Sequence, residues 1–164
     1  MRRTHRLLLL LFLAAAACGK SDPKTLTDEG AKALNSGDAA KAVASFDEAL
    51  ANMGPEHADF LRASVGRCEA LARTDPPRAK TDFLALAKAH EARVREQDFA
   101  AVANELVRRG AVGPAAEVAE AGLKRFPDSK AMLALRDTVG DAAKQSSDPE
   151  ALKKLKGLGY AGDG

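Results

Sequence analysis

The sequence predicts an all-α fold, a short right-handed stack of helix pairs closed by a capping helix. Three observations lead there. Apolar residues recur at spacings of three and four along most of the chain, which is the signature of one-sided helices. Alanine supplies much of the 46% apolar content while aromatics stand at 4%, with one Tyr and no Trp. That balance suits closely packed helices better than a sheet built from β-branched and aromatic side chains. Turn residues at Ser36-Gly37-Asp38, Asp75-Pro76-Pro77 and Gly110 cut the chain into helix-length pieces. At 164 residues there is enough chain for one domain.

Residues 1–18, MRRTHRLLLLLFLAAAAC, read as a targeting segment outside the fold. Arg2, Arg3 and Arg6 form a basic start, Leu7 to Leu13 an apolar run, and Ala14 to Ala17 a small-residue stretch ending at Cys18. An apolar stretch of about 11 residues falls short of the roughly 20 needed to span a bilayer. By composition alone it also reads as an ordinary cleaved secretion signal with an incidental Cys. Ala15-Ala16-Ala17-Cys18 also resembles the bacterial lipobox, with Ala15 where that motif usually has Leu. The resemblance implies cleavage after residue 17 and acyl chains on Cys18. Two or more chains, at about 0.8 kcal/mol per buried methylene, hold a protein on a membrane. Gly19, rather than Asp, after the Cys implies sorting to the outer membrane, facing the periplasm.

The formal net charge of +2 is a targeting effect. Removing the three signal arginines leaves 22 Lys and Arg against 23 Asp and Glu, about minus one. A near-neutral chain of mixed charge offers no electrostatic case for nucleic acid. Residues 18–24 then form a short polar tether, and Thr25 with Asp28 reads as a capping box for the first helix.

The domain proper is expected over residues 25–145. Its first pair carries Leu26, Gly30, Ala33 and Leu34 on one helix and Ala39, Ala42, Val43, Phe46, Ala49 and Leu50 on the next. Gly30 costs about 1 kcal/mol relative to Ala inside a helix, so it predicts close approach, with Ala42 and Ala49 as the expected neighbours. Gly37 closes the first helix and Asp38 caps the second. Gly30, Gly37, Ala42, Phe46, Ala49 and Pro55 resemble the tetratricopeptide (TPR) pattern of about 34 residues. Leu26 and Ala33 replace its first-helix aromatics, and Pro55 sits one residue late.

A second helix pair is expected from about 57 to 73, with Phe60, Leu61, Val65, Cys68, Leu71 and Ala72, and from the Pro76-Pro77 break to about 92, with Ala79, Phe83, Leu86 and Ala87. It fits the repeat only through Gly66, Ala79 and Phe83, with one inserted residue. The third pair is clearer. Phe99, Val102, Ala103 and Leu106 define a helix ended by Gly110, and Pro114 starts another carrying Ala115, Val118, Ala119, Gly122 and Leu123. Residues 129–145 form a half-polar helix, with Met132, Leu135 and Val139 inward, as the end of a stack requires. Residues 146–164 hold a short helix, Ala151 to Leu155, and a tail that either docks on the last groove or frays.

Chemistry for catalysis is sparse, and no enzyme, metal site or cofactor is expected. His57 and His90 lie at helix ends, and Cys68 shares a face with Leu61, Val65 and Ala72, which marks a buried thiol. Binding is the expected work. In TPR-like stacks the first helices of successive pairs line a groove for an extended peptide or a partner helix. Carrying over the groove positions implies Lys24, Thr27, Ala31 and Leu34 from the first pair, Arg67 from the second, and Gln97, Asn104, Val107 and Arg108 from the third. TPR proteins that clamp a C-terminal carboxylate place Lys and Asn where Thr27 and Ala31 stand, which disfavours that mechanism. The expectation is a lipid-anchored scaffold that binds a protein partner in cell-envelope assembly. The alternative is a cell-wall or glycan-binding accessory, for which the scarcity of aromatics is unfavourable because sugars stack on aromatic faces.

Overall fold

A computed structural model describes residues 22–160, except 148 and 158. These residues form eight helices and no strand: α1 (Pro23–Asn35), α2 (Ala39–Ala51), α3 (Phe60–Thr74), α4 (Pro76–Ala89), α5 (Glu96–Arg108), α6 (Val112–Arg125), α7 (Lys130–Ser146) and α8 (Pro149–Gly157).

Local sequence sets most of the boundaries. Asp22 caps α1 by accepting from the Thr25 amide at 3.0 Å, so the helix starts three residues before the expected Thr25–Asp28 box, on a single side-chain cap. Asp38 accepts from the Lys41 amide at 3.0 Å and Asp75 from the Arg78 amide at 3.2 Å. Gly37 and Gly110 take positive φ (88° and 71°), which lets the following amides, Asp38 and Ala111, reach back to the carbonyls of Ala33 and Leu106 at 2.9 Å. α3 begins at Phe60 rather than about 57, because Gly54 to Asp59 make turns in which the Asp59 amide donates to His57 Nδ1 at 3.1 Å. α4 stops at Ala89. α6 starts at Val112, two residues ahead of Pro114, since a first-turn residue has no intrahelical acceptor for the amide that proline lacks.

Helices pack on their successors, except that α4 meets α5 only lightly. First helices also pack on one another in the series α1, α3, α5, α7, and second helices in the series α4, α6, α8. α2 and α4 do not pack together, and the long α2–α3 connection accompanies that gap.

Phe46 is the pivot at the N-terminal end. Its ring, 1% exposed, lies between Gly30 on α1 and Gly66 on α3; a Cβ added at those glycines would sit 2.7 Å and 2.6 Å from ring carbons. The neighbour that Gly30 admits is therefore this ring, whereas Ala42 and Ala49 were expected there. Both alanines are nonetheless fully buried. Further along, Phe83 meets Phe99 edge-on at 5.0 Å between centroids, and Phe99 lies against Gly122 together with Met132. At the C-terminal end Tyr160 covers Gly140 and its hydroxyl donates to Asp141 at 2.9 Å. Ala151, Leu155 and Tyr160 are buried and α8 packs on α6 and α7, so the tail up to Tyr160 is docked.

Gly66→Ala tests the Phe46 notch. Alanine adds about 1 kcal/mol of helix propensity, but overpacking a filled site costs about 1–3 kcal/mol. The expected result is a net loss of about 1 kcal/mol or more in urea unfolding, partly recovered when Phe46→Leu is added.

Candidate partner-binding groove

The first helices of three successive pairs leave a groove of about 680 Å³ between them. Ala31 and Leu34 enter from α1, Leu61, Arg62, Val65 and Glu69 from α3, and Gln97, Asp98 and Ala101 from α5, with Arg93 and Arg95 from the α4–α5 connection. Phe46 reaches the floor from α2 beside Gly66, its ring buried in the space that glycine leaves. The floor is thus apolar and the sides carry charge.

Arg62 among those charges is held in place. Arg62 donates to Asp28 on α1 at 2.6 Å and to Asp59 at 3.1 Å, tying one wall to the other. Beyond the groove, the Glu105 side chain is only 1% exposed and accepts from Arg73 at 2.9 Å, Arg109 at 3.1 Å and Arg108 at 2.9 Å. Arg73 also donates to the Leu34 carbonyl at 2.8 Å, so one carboxylate connects α5 to α3 and, through Arg73, to the end of α1. Burial pushes the Glu105 carboxyl up, but hydrogen bonds from Arg108 and Arg109 and the charges of Arg108 and Arg73 outweigh it and hold it below the usual carboxylate range. Glu69 goes the other way: burial, then the Glu105 charge, pushes its carboxyl up.

Of the residues named from the sequence, Ala31, Leu34 and Gln97 are brought together in this groove. Lys24 stands exposed at the start of α1, paired with Asp28 at 2.9 Å. Thr27 is fully buried, its hydroxyl donating to the Pro23 carbonyl at 2.7 Å, which removes it from any partner's reach. Asn104 and Val107 lie half-buried on α5 outside the groove lining, and Arg108 is committed to Glu105. Cys18 lies outside the described residues.

Arg67 is a correction. It lines a separate hollow of about 420 Å³ with Cys68, Leu50 and Leu86, where it bridges Asp47 on α2 and Asp82 on α4, the latter at 2.7 Å. Asp38 and Asp75 each cap the second helix of a pair, and on that alignment Arg67 stands where the first pair has Gly30, facing the partner helix. The same alignment sets Leu61 level with Lys24 and Val65 level with Asp28; neither Lys24 nor Asp28 lines the groove, so the α3 groove face follows from the packing and not from the cap register. Within the second hollow, burial pushes the Cys68 thiol up to about 12 and it stays protonated at neutral pH. Among the described residues no group of three or more His, Cys, Asp or Glu is gathered to hold a metal ion.

Because folded Glu105 binds a proton less readily than an unfolded carboxylate, its contribution is complete above the ordinary carboxylate pKa and is lost as pH falls through the folded value. Glu105→Ala is expected to cost about 3 kcal/mol at pH 7, the low end for breaking a buried ion pair. It should also flatten the acid-side decline in stability, as measured by urea unfolding across pH 3–7, a window of about two units on either side of the ordinary carboxylate value. In comparisons with known proteins, no protein-family model, no curated protein and no solved structure matches this chain.

Proposed function

We propose that the chain is a lipid-anchored scaffold of the bacterial cell envelope, held through Cys18 and binding a protein or peptide partner in the α1–α3–α5 groove. The observation that carries this reading is the groove itself. It is an apolar floor about 680 Å³ in extent, walled by three helices whose spacing is fixed by Phe46 and by the Glu105 and Arg62 ion pairs. Such a trough suits a helix or an extended segment better than a small polar metabolite.

In this proposal the helix pairs form a short right-handed α-solenoid of TPR-like units. Packing of first helices on first helices supports the stack, with α7 and α8 closing its end. The basic start, apolar run and small residues before Cys18 support export and anchoring, with the outer membrane facing the periplasm as the expected location. No helix among the described residues is long and apolar enough to cross a membrane, so in this reading the lipid is what holds the chain on the bilayer. Aromatic anchors are few, and co-localisation on a membrane compensates for weak contacts by raising effective concentration.

Two measurements test the proposal. Mass spectrometry of the native N-terminus should find an acylated Cys18, and Cys18→Ser should release the protein from the membrane fraction. Ala101→Arg fills the groove from α5; it should abolish stoichiometric co-purification of a partner from detergent-solubilised envelopes while leaving the helical circular dichroism unchanged. Retention on cell-wall sacculi without a protein partner would contradict the scaffold role.

A further inference from the structure

Among the described residues, one acid in the groove lining accepts no hydrogen bond. Glu69 on α3 is half-buried in the lining, and among the described residues no Lys or Arg side chain pairs with it. Its basic neighbours are engaged elsewhere: Arg73 and Arg108 with Glu105, and Arg62 with Asp28 and Asp59. It shares the lining with Leu34, Leu61, Val65 and Ala101. A carboxylate partly withdrawn from water carries a desolvation cost that the charges of Arg108 and Arg73 offset only in part, and a cation brought by a guest would offset the rest.

Resting on the groove assignment above, we propose that the partner segment carries a single Lys or Arg, flanked by aliphatic residues, whose cationic end seats on Glu69. The flanks match the apolar floor, and the cation matches the acid that no donor meets, whereas Asp98, the other acid of the lining, accepts from the Arg95 amide at 2.8 Å. The rest of the lining sets the limit to one cation. Arg93 and Arg95 stand at the mouth, with Arg93 donating to the Pro55 carbonyl, and their charges disfavour a polybasic guest. The raised proton affinity of Glu69 accords with a carboxylate that lacks its partner while the groove is empty.

The test pans a random 12-residue phage-displayed peptide library on the full-length protein in detergent, on Glu69→Gln and on Ala101→Arg, with circular dichroism confirming that each variant is folded. Peptides enriched on the wild type should share one Lys or Arg at a fixed position between aliphatic residues. A synthetic peptide of the enriched sequence should bind Glu69→Gln about fivefold more weakly, an interaction on the scale of a part-exposed ion pair. Replacing its cation by norleucine should cost the wild type the same factor and Glu69→Gln nothing. Enriched peptides without a fixed cation, or equal affinity for Glu69→Gln, overturn the cation assignment alone. Retention of the same peptides on Ala101→Arg, or no enrichment at all, overturns the groove assignment with it.

Discussion

Phe46 sets the distance between the first two layers of this molecule. One ring, carried on α2, fills the space that two glycines leave open, Gly30 on its own hairpin and Gly66 on the next helix. With a Cβ at either position the layers could not approach as they do. Dispersion and area burial both grow with such contact, which matters in a chain whose core is mostly alanine. The device recurs: Gly122 receives Phe99, and Gly140 receives Tyr160. A chain poor in aromatics has thus placed three of its rings against glycines, each joining one helix to a neighbour.

The groove follows from that constraint. Because the ring enters from α2, α1 and α3 meet over it, and their outer faces, with that of α5, diverge into a trough. Electrostatics then hold the walls in two different ways. Glu105 is buried and satisfied by three arginines, which makes it a tie between helices. Glu69, on the facing helix, is left without one, and the repulsion between the two carboxylates adds to the cost of its burial. One acid is committed to a tie between helices, and the other lies in the groove lining with no hydrogen-bond donor among the described residues.

Much of the architecture was legible in the chain. The all-helical character followed from apolar spacing and alanine content, and the turns at Gly37 and Gly110 and the cap at Asp38 fall where the sequence predicts them. Boundaries around Gly54–Asp59 and Pro114 were misjudged, because local turn chemistry and a proline tolerated in a first helical turn outweigh a smooth apolar stripe. The role of Gly66 was not legible, since its partner Phe46 comes from the preceding pair. The groove was legible in part: Leu34 and Gln97 belong to it, Thr27 is buried, and Arg67 faces the opposite side because the second pair is one residue out of register. Glu69 was missed for a simple reason, that a lone charge on an amphipathic helix reads as a solvated face until its neighbours are known.

Site-specific photo-cross-linking in living cells tests most directly whether the trough is where a partner sits. A photoreactive phenylalanine analogue placed at Gln97, on the groove wall, should yield a discrete cross-linked protein, and the same residue at Glu48, exposed on α2, should not. Cross-links from Glu48 with none from Gln97 would contradict the groove as the binding surface.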